Sequence, residues 1–239
     1  MAVTRRRALR SVALASVAVV AVVLALLVVA SRDEPADRLD RAIIATERLD
    51  GLRFELVARV EASGRAAAGG PVVSEARMVG EYQAPDRLHV AIVAGRQRRE
   101  LVIVGDRQWV DDGTGYHRTV ATPVGPLRDA RAPLTFLRGS GRASFAGVGF
   151  ARGLPTYRIR VDLSAGDLAG RLFEGAAVPS DSRGVIEVEL GLQDGLIRVQ
   201  TVEITSGAEV FGSGLEQVRT VYRVEYWAHG EPQEVREPE

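Results

Sequence analysis

Leu52-Arg53-Phe54-Glu55-Leu56-Val57-Ala58-Arg59-Val60-Glu61-Ala62 alternates apolar and polar side chains at almost every step. Side chains of a strand point to opposite faces at successive residues, so this period of two predicts a half-buried antiparallel strand with its charges on the wet side. The same reading extends outward. Strands are expected at Val72 to Tyr82, Arg87 to Val93, Glu100 to Val104, Trp109-Val110 and Tyr116 to Val120. Pro85, the Gly95 turn and Asp111-Asp112-Gly113-Thr114-Gly115 separate them. Further along, Thr156 to Leu163, Val185 to Leu192, Gly195 to Thr205 and Glu216 to Trp227 read the same way, with Asp194-Gly195 as a hairpin turn. In the last of these Val218, Thr220, Tyr222, Val224 and Tyr226 share a face.

Helical periodicity is confined to short pieces. Leu39, Ala42, Ile43 and Leu49 mark one face of a helix ahead of the first strand, with Asp37 as its N-cap and Gly51 as its stop. Leu127, Ala130, Leu134 and Leu137 have helical spacing between Gly125 and Arg138, where Pro133 divides the segment into two short turns. Asp167 to Phe173 is a third short helix. The stretches Arg65 to Gly70 and Gly139 to Gly149 read as a loop and a mobile connection, and the tail from Glu231 as a fraying polar end. Consecutive antiparallel strands with segregated helices make the class α+β. No repeat of fixed period is visible.

Before all this lies Ser11 to Ala30, 20 residues without a charge. A helix of that length spans about 30 Å, the thickness of a bilayer's hydrocarbon core. Arg5, Arg6, Arg7 and Arg10 precede it, which places the N-terminus in the cytoplasm and the rest outside. The apolar run exceeds the ~7–15 residues usual in a secretory signal, so a retained anchor is the expectation. A cleaved leader ending near Val28-Val29-Ala30 is the alternative. The chain thus divides into a basic cytoplasmic segment 1–10, an anchor or signal 11–30, a linker 31–36, an α+β domain 37–232 and a polar tail 233–239.

Composition limits the chemistry. Hydrophobic residues make up 46% and charged ones 26%, an ordinary globular balance. Setting aside the four leading arginines leaves 27 basic against 31 acidic residues, a net of −4 for the exported part. A mildly acidic domain is a poor match to nucleic acid. The sequence contains no cysteine, hence no disulfide and no thiolate metal site. Lysine and asparagine are absent, a bias that points to a GC-rich, actinobacterial genome.

Catalytic constellations are not evident. His89, His117 and His229 are far apart and form no metal-binding spacing. His89 alternates with Leu88 and Val90 and belongs to a solvated face. Asp111 and Asp112 fall in a glycine-rich turn, where aspartate is favoured for local reasons. Glu187 and Glu189 alternate with Ile186, Val188 and Leu190, as an exposed face does. Gly139-Ser140-Gly141 and Gly212-Ser213-Gly214 lack the Gly-x-Ser-x-Gly frame of a nucleophile elbow, and Gly147-x-Gly149 is no dinucleotide fingerprint. Neither an enzyme, a cofactor nor a metal site is expected.

Three stretches resemble the LolA/LolB-like lipoprotein-carrier superfamily, in particular mycobacterial lipoproteins of the LprG/LppX kind. They are Gly80-Glu-Tyr-Gln-Ala-Pro85-Asp-Arg87-Leu88, Val102-Ile-Val-Gly105-Asp106-Arg-Gln-Trp109-Val110, and Val185 to Val202 with its Asp194-Gly195-Leu196-Ile197 turn, followed by Tyr226 to Pro232. The order of elements matches over roughly residues 37–232. One departure is that those lipoproteins carry an acylated N-terminal cysteine and this chain has none.

The resemblance implies a strongly curved antiparallel half-barrel with helices on its concave side and an apolar cavity between. It assigns to that cavity Phe54, Leu56, Met78, Val90, Ile92, Leu101, Ile103, Ile159, Val161, Val188, Tyr222 and Val224, each of which, taken singly, reads equally as core. The expected function is a membrane-anchored, exported lipid- or lipoprotein-binding carrier of the cell envelope. Its partners would be a lipid or acylated molecule, the plasma membrane through residues 11–30, and an envelope protein. The alternative is a non-catalytic sensory or protein-interaction module at the outer surface of the plasma membrane.

Overall fold

A computed structural model describes residues 34–64, 70–119, 134, 137–139, 142–172, 178–207 and 216–238. Residues 11–30, expected as an anchor, most of 65–70, expected as a loop, and most of 125–138, expected as helical turns, lie outside the described residues. Among the described residues no helix is long and apolar enough to cross a membrane.

Helix α1 (Pro35–Glu47) comes first. It begins two residues ahead of the expected Asp37 cap, because Pro35 supplies a helical φ and has no N–H to satisfy at the first position. Glu34 is the N-cap, without a side-chain capping bond, and Asp37 sits inside the first turn. Leu39, Ala42, Ile43 and Thr46 form the buried face, as the spacing of the first three requires. The Thr46 hydroxyl donates to Ala42 O at 2.8 Å and accepts from the Ile197 N–H at 3.4 Å.

Among the described residues eleven strands then form one open antiparallel sheet. They are β1 (Gly51–Ser63), β2 (Val72–Gln83), β3 (Arg87–Ala94), β4 (Gln97–Val104), β5 (Arg107–Asp111), β6 (Tyr116–Thr119), β7 (Ala143–Ala151), β8 (Leu154–Leu163), β9 (Arg183–Gly191), β10 (Ile197–Gly207) and β11 (Gln217–Trp227). A short helix α2 (Ala165–Asp167), extended by one wider turn at Leu168–Leu172, joins β8 to β9. It starts ahead of the expected Asp167 because Ser164 and Asp167 cap each other reciprocally. The strand order is β6-β5-β4-β3-β2-β1-β11-β10-β9-β8-β7. The chain therefore starts in the middle, meanders out to one edge at β6, and resumes at the opposite edge with β7. Laid flat, ten spacings of ~4.8 Å would part those edges by about 48 Å.

The connection between the two edges is tied to the apolar face. Leu134 and Leu137 are fully buried in the same core as Leu39 and Ile43 of α1. Arg138 pairs with Glu47 at 3.3 Å, and the Gly139 N–H donates to Asp40 at 3.1 Å. Fully burying a leucine contributes about 1.5–3 kcal/mol, so Leu134 and Leu137 hold the crossing far more firmly than those exposed polar contacts.

Two expectations fail here. Gly139 to Gly149 is not a mobile connection: from Ala143 it is edge strand β7, paired to β8 throughout. Its small residues hid the alternation, and a bulge between Phe145 and Gly147, where Gly147 takes φ 122°, breaks the period. Glu189 is not an exposed carboxylate. It is buried under β7, accepting from the Thr156 hydroxyl at 2.7 Å and facing Arg158 at 3.4 Å. Asp194-Gly195 does lie in the β9–β10 hairpin turn, between Gly191 and Ile197. The Gly195 N–H donates to Gly191 O at 2.9 Å, and Asp194 accepts from the Leu196 N–H at 3.1 Å.

The tail does not fray either. Gln233 accepts from Arg53 at 2.9 Å, the Val235 N–H donates to Gln83 at 3.2 Å, and Arg87 donates to Val235 O at 3.1 Å. Val235 is 2% exposed and completes a small cluster with Val102, Val104 and Trp109 on the outer side of the sheet. Replacing Val235 with Asp removes that burial and inserts an unpaired charge, a loss of about 2–4 kcal/mol. In a Trp227→Phe background, Trp109 fluorescence is expected to shift red in V235D, and urea unfolding to move to a lower midpoint.

Candidate functional site

The ladders decide which side chains meet. Leu56 lies opposite Met78 on one side and Val224 on the other, and Phe54 opposite Gly80 and Tyr226. Gly80 in turn faces Val90, Val90 faces Leu101, and Met78 faces Ile92. In the other half Gln200 links Val224 to Val188, Val188 faces Ile159, and Ile186 faces Val161. Cross-strand partners share a face. All twelve candidate residues, Ile103 and Tyr222 included, thus project from one side of the sheet, called here the inner face. Gly80 is demanded by this packing, since a Cβ there would sit 2.7 Å from the Phe54 ring.

The outer face is charged. Glu55 pairs with Arg77 at 2.8 Å, Arg53 with Glu81 at 3.6 Å, and Arg219 with Glu203 at 2.8 Å and Glu61 at 3.3 Å. Hydrogen bonds from Arg219 hold the Glu203 carboxyl below the usual range. His89 belongs to this side, between Glu81 and Glu100. Exposed pairs of this kind contribute at most about 1 kcal/mol each. Their importance is to make that face costly to bury.

Along the inner face of β1 and β2, the aromatic residues lie at one end, and alanine and serine at the other. On β1 the series is Leu52, Phe54, Leu56, Ala58, Val60, Ala62, and on β2 it is Tyr82, Gly80, Met78, Ala76, Ser74, Val72. At the large end Leu52, Phe54, Tyr82, Leu88, Val90, Val224 and Tyr226 are buried in one core with Leu39 and Ile43 of α1 and with Leu134 and Leu137. Burial pushes the Tyr226 hydroxyl pKa well up, and its O–H donates to Gln200 at 3.3 Å. Leu56, Met78, Ile92 and Ile103 are half-buried against that core. At the small end Ala58 and Ala76 stand opposite each other, and Val60, Tyr222 and Val72 are 37%, 39% and 61% exposed. Ile159, Val161 and Val188 are fully buried, so the β8–β9 part of the candidate set is solid core.

Sequence reasoning did not single out Gln108. Its partner across the ladder is Ile103, so it projects from the inner face, and it is only 7% exposed. Among the described residues its amide oxygen meets no hydrogen-bond donor. A glutamine between two charged or aromatic neighbours carries no signal of this in the sequence.

The remaining polar residues have structural partners. Asp111 accepts from the Gly113 and Gly115 N–H groups at 2.8 and 3.0 Å, as its turn composition suggested. His229 is half-buried, with Nε2 donating to Ile197 O at 2.9 Å and Nδ1 accepting from Arg198 at 2.7 Å; burial lowers its pKa. Among the described residues no three side chains converge as metal ligands. A cavity of about 300 Å³ lies between α1 and the β9–β10 turn, lined by Arg38, Arg41, Leu190 and Asp194 among others.

Among solved structures the fold is similar to that of the Mycobacterium tuberculosis lipoprotein LppX, with a TM-score of 0.52 and 10% identity over 84% of this chain and 97% of that one. LprF from Mycobacterium bovis aligns over 85% of this chain and 96% of its own, at 12% identity and a TM-score of 0.48. A LolA superfamily protein from Nitrosomonas europaea aligns over 86% and 95% respectively, at 8% identity and a TM-score of 0.28. No protein-family model and no curated protein matches the sequence. The fold is thus of the LppX kind, the likeness that the three sequence stretches suggested.

Gln108 supplies a test of the inner face. An unpaired buried amide costs about 1–3 kcal/mol, so Gln108→Met, similar in volume, is expected to raise the urea midpoint at unchanged m-value. A marked fall in stability would mean that the amide is satisfied.

Proposed function

We propose that this protein is an exported carrier that shelters the acyl chain of a lipid or lipoprotein against the open, small-residue end of its inner face. The observation that carries this reading is the contrast between the two ends of β1 and β2. Large residues close one end of the face, while Ala58, Ala76 and their neighbours leave room at the other, with Val60, Tyr222 and Val72 still in contact with water. Removing a methylene from water contributes ~0.8 kcal/mol, so even a short chain laid along this strip binds usefully. The LppX-like fold is consistent with such a role.

The sheet is read as a half-barrel with its helices on the concave side. A 13-residue helix is about 20 Å long and cannot roof a flat sheet about 48 Å wide. Inner-face residues as far apart in strand order as Leu88 on β3 and Ile159 on β8 are nevertheless buried in one core, which curvature explains. The cavity set then narrows to Leu56, Met78, Ile92, Ile103, Tyr222 and the flanking alanines. Ser11 to Ala30 would anchor the protein in the plasma membrane, leaving the carrier domain outside. No catalytic role is assigned.

Native mass spectrometry of the full chain, purified in mild detergent, is expected to show a lipid-sized adduct, and its intact mass reports whether the leader is retained. Filling the strip with Ala76→Phe is expected to cut uptake of a labelled fatty acid by about tenfold, given the several methylenes displaced, with little change in Tm. A protein that binds no lipid but captures one stoichiometric envelope protein would instead be an interaction module.

A further inference from the structure

The inner face is almost without charge. Among the strand residues whose register places them there, one carries a permanent charge, Arg99 on β4, directly opposite Ile92 of β3. Leu101, the next inner-face residue on β4, is 5% exposed, whereas Arg99 is exposed. Arg99 therefore stands where the buried part of the face gives way to the open part, in the same cross-strand row as Ile92 and Met78.

Its charge is not spent on a neighbour. Among the described residues Arg99 has no ion-pair or hydrogen-bond partner, whereas the adjacent Arg98 pairs with Glu100 at 2.8 Å on the outer face. The nearby acids are engaged elsewhere. Glu100 also accepts from Tyr116 at 2.6 Å, Asp111 holds two backbone N–H groups, and Asp112 accepts from the Thr114 hydroxyl at 2.8 Å. His117, opposite Val110, also lies on this side.

We propose that Arg99 binds the anionic headgroup of the carried amphiphile, a phosphate or carboxylate, while its acyl chain lies along Ile92, Met78, Leu56 and Ala58. This rests on the carrier reading and adds the ligand's class to it: an acyl chain bearing a negative charge. A guanidinium presents a planar fork of N–H donors that matches both oxyanions, and such charge-assisted bonds are stronger than neutral ones. A free oxyanion would use the guanidinium but not the apolar row beside it.

The test uses the full chain in uncharged detergent micelles, with fluorescent phosphatidic acid and fluorescent diacylglycerol of identical acyl chains as probes. Wild type is expected to prefer phosphatidic acid by about tenfold, the scale of one hydrogen bond to a charged group. Arg99→Gln should abolish the preference while still taking up diacylglycerol, and Arg99→Lys should keep part of it. Arg118→Gln, a charge removal on the outer face of β6, should leave it unchanged. Uptake of diacylglycerol with no preference in wild type, or a preference that survives in R99Q, overturns the assignment and leaves the carrier reading standing. Displacement of the labelled phosphatidic acid by millimolar inorganic phosphate overturns it in favour of a free-anion site. Uptake of neither probe by wild type overturns the carrier reading itself, and this assignment with it.

Discussion

The constraint on which this structure depends is the separation of charge and grease across a single sheet. Arginine and glutamate fill the outer positions of the long central strands, and burying that face would strip water from dozens of polar groups. The inner face must be covered instead. Eleven strands present more apolar surface than the described helices can cover one for one, so cover has to be shared. Helix α1 lies over β7 and β10, Leu134 and Leu137 cross beside it, and Leu168 of the β8–β9 connection closes against Gly184. What these pieces leave uncovered is the small-residue end of β1 and β2.

Val60 and Val72, near the far ends of β1 and β2, remain 37% and 61% exposed. β1 and β2 run 13 and 12 residues, against 8 each for β3 and β4. Their far ends project beyond the filled core, and there the sequence changes from Phe and Tyr to Ala and Ser. A solid core would have placed large residues along the whole length, because interiors are packed to crystal-like density and voids cost stability. The C-terminal segment works on the opposite side, where Val235 and Gln233 lash β1, β2 and β3 together from outside without occupying any of the inner face.

Most of the strands were legible because their alternation is strict and one face is charged. The failures are equally physical. β7 reads as Ala-Ser-Phe-Ala-Gly-Val-Gly-Phe-Ala, without polar residues to mark a wet face, and its bulge shifts the register midway. Glu189 lies in a regular alternation, and only the arrival of β7 with Gly149 against it turns an exposed position into a buried one. Val235 is a lone apolar residue among charges, too isolated for any periodicity, and it is held by side chains from strands about 150 residues earlier. The candidate site was legible as a face, since all twelve residues share one side. It was not legible as a depth profile: Ile159, Val161 and Val188 are fully buried, while Leu56, Met78, Ile92 and Ile103 are half-buried.

By itself, the sequence determined the local period of nearly every strand, the side of the sheet that must avoid water, the charge-free stretch at the N-terminus, and the lack of any cysteine chemistry. These follow from the order of residues along the chain, because backbone geometry alone assigns alternate side chains to opposite faces. Only the tertiary structure decided that β11 closes onto β1, that the chain leaves one edge and re-enters at the other, and which part of the apolar face is filled. Those outcomes depend on contacts between residues far apart in the chain, where the energy of burial is set by which surfaces meet and not by the spacing within either one.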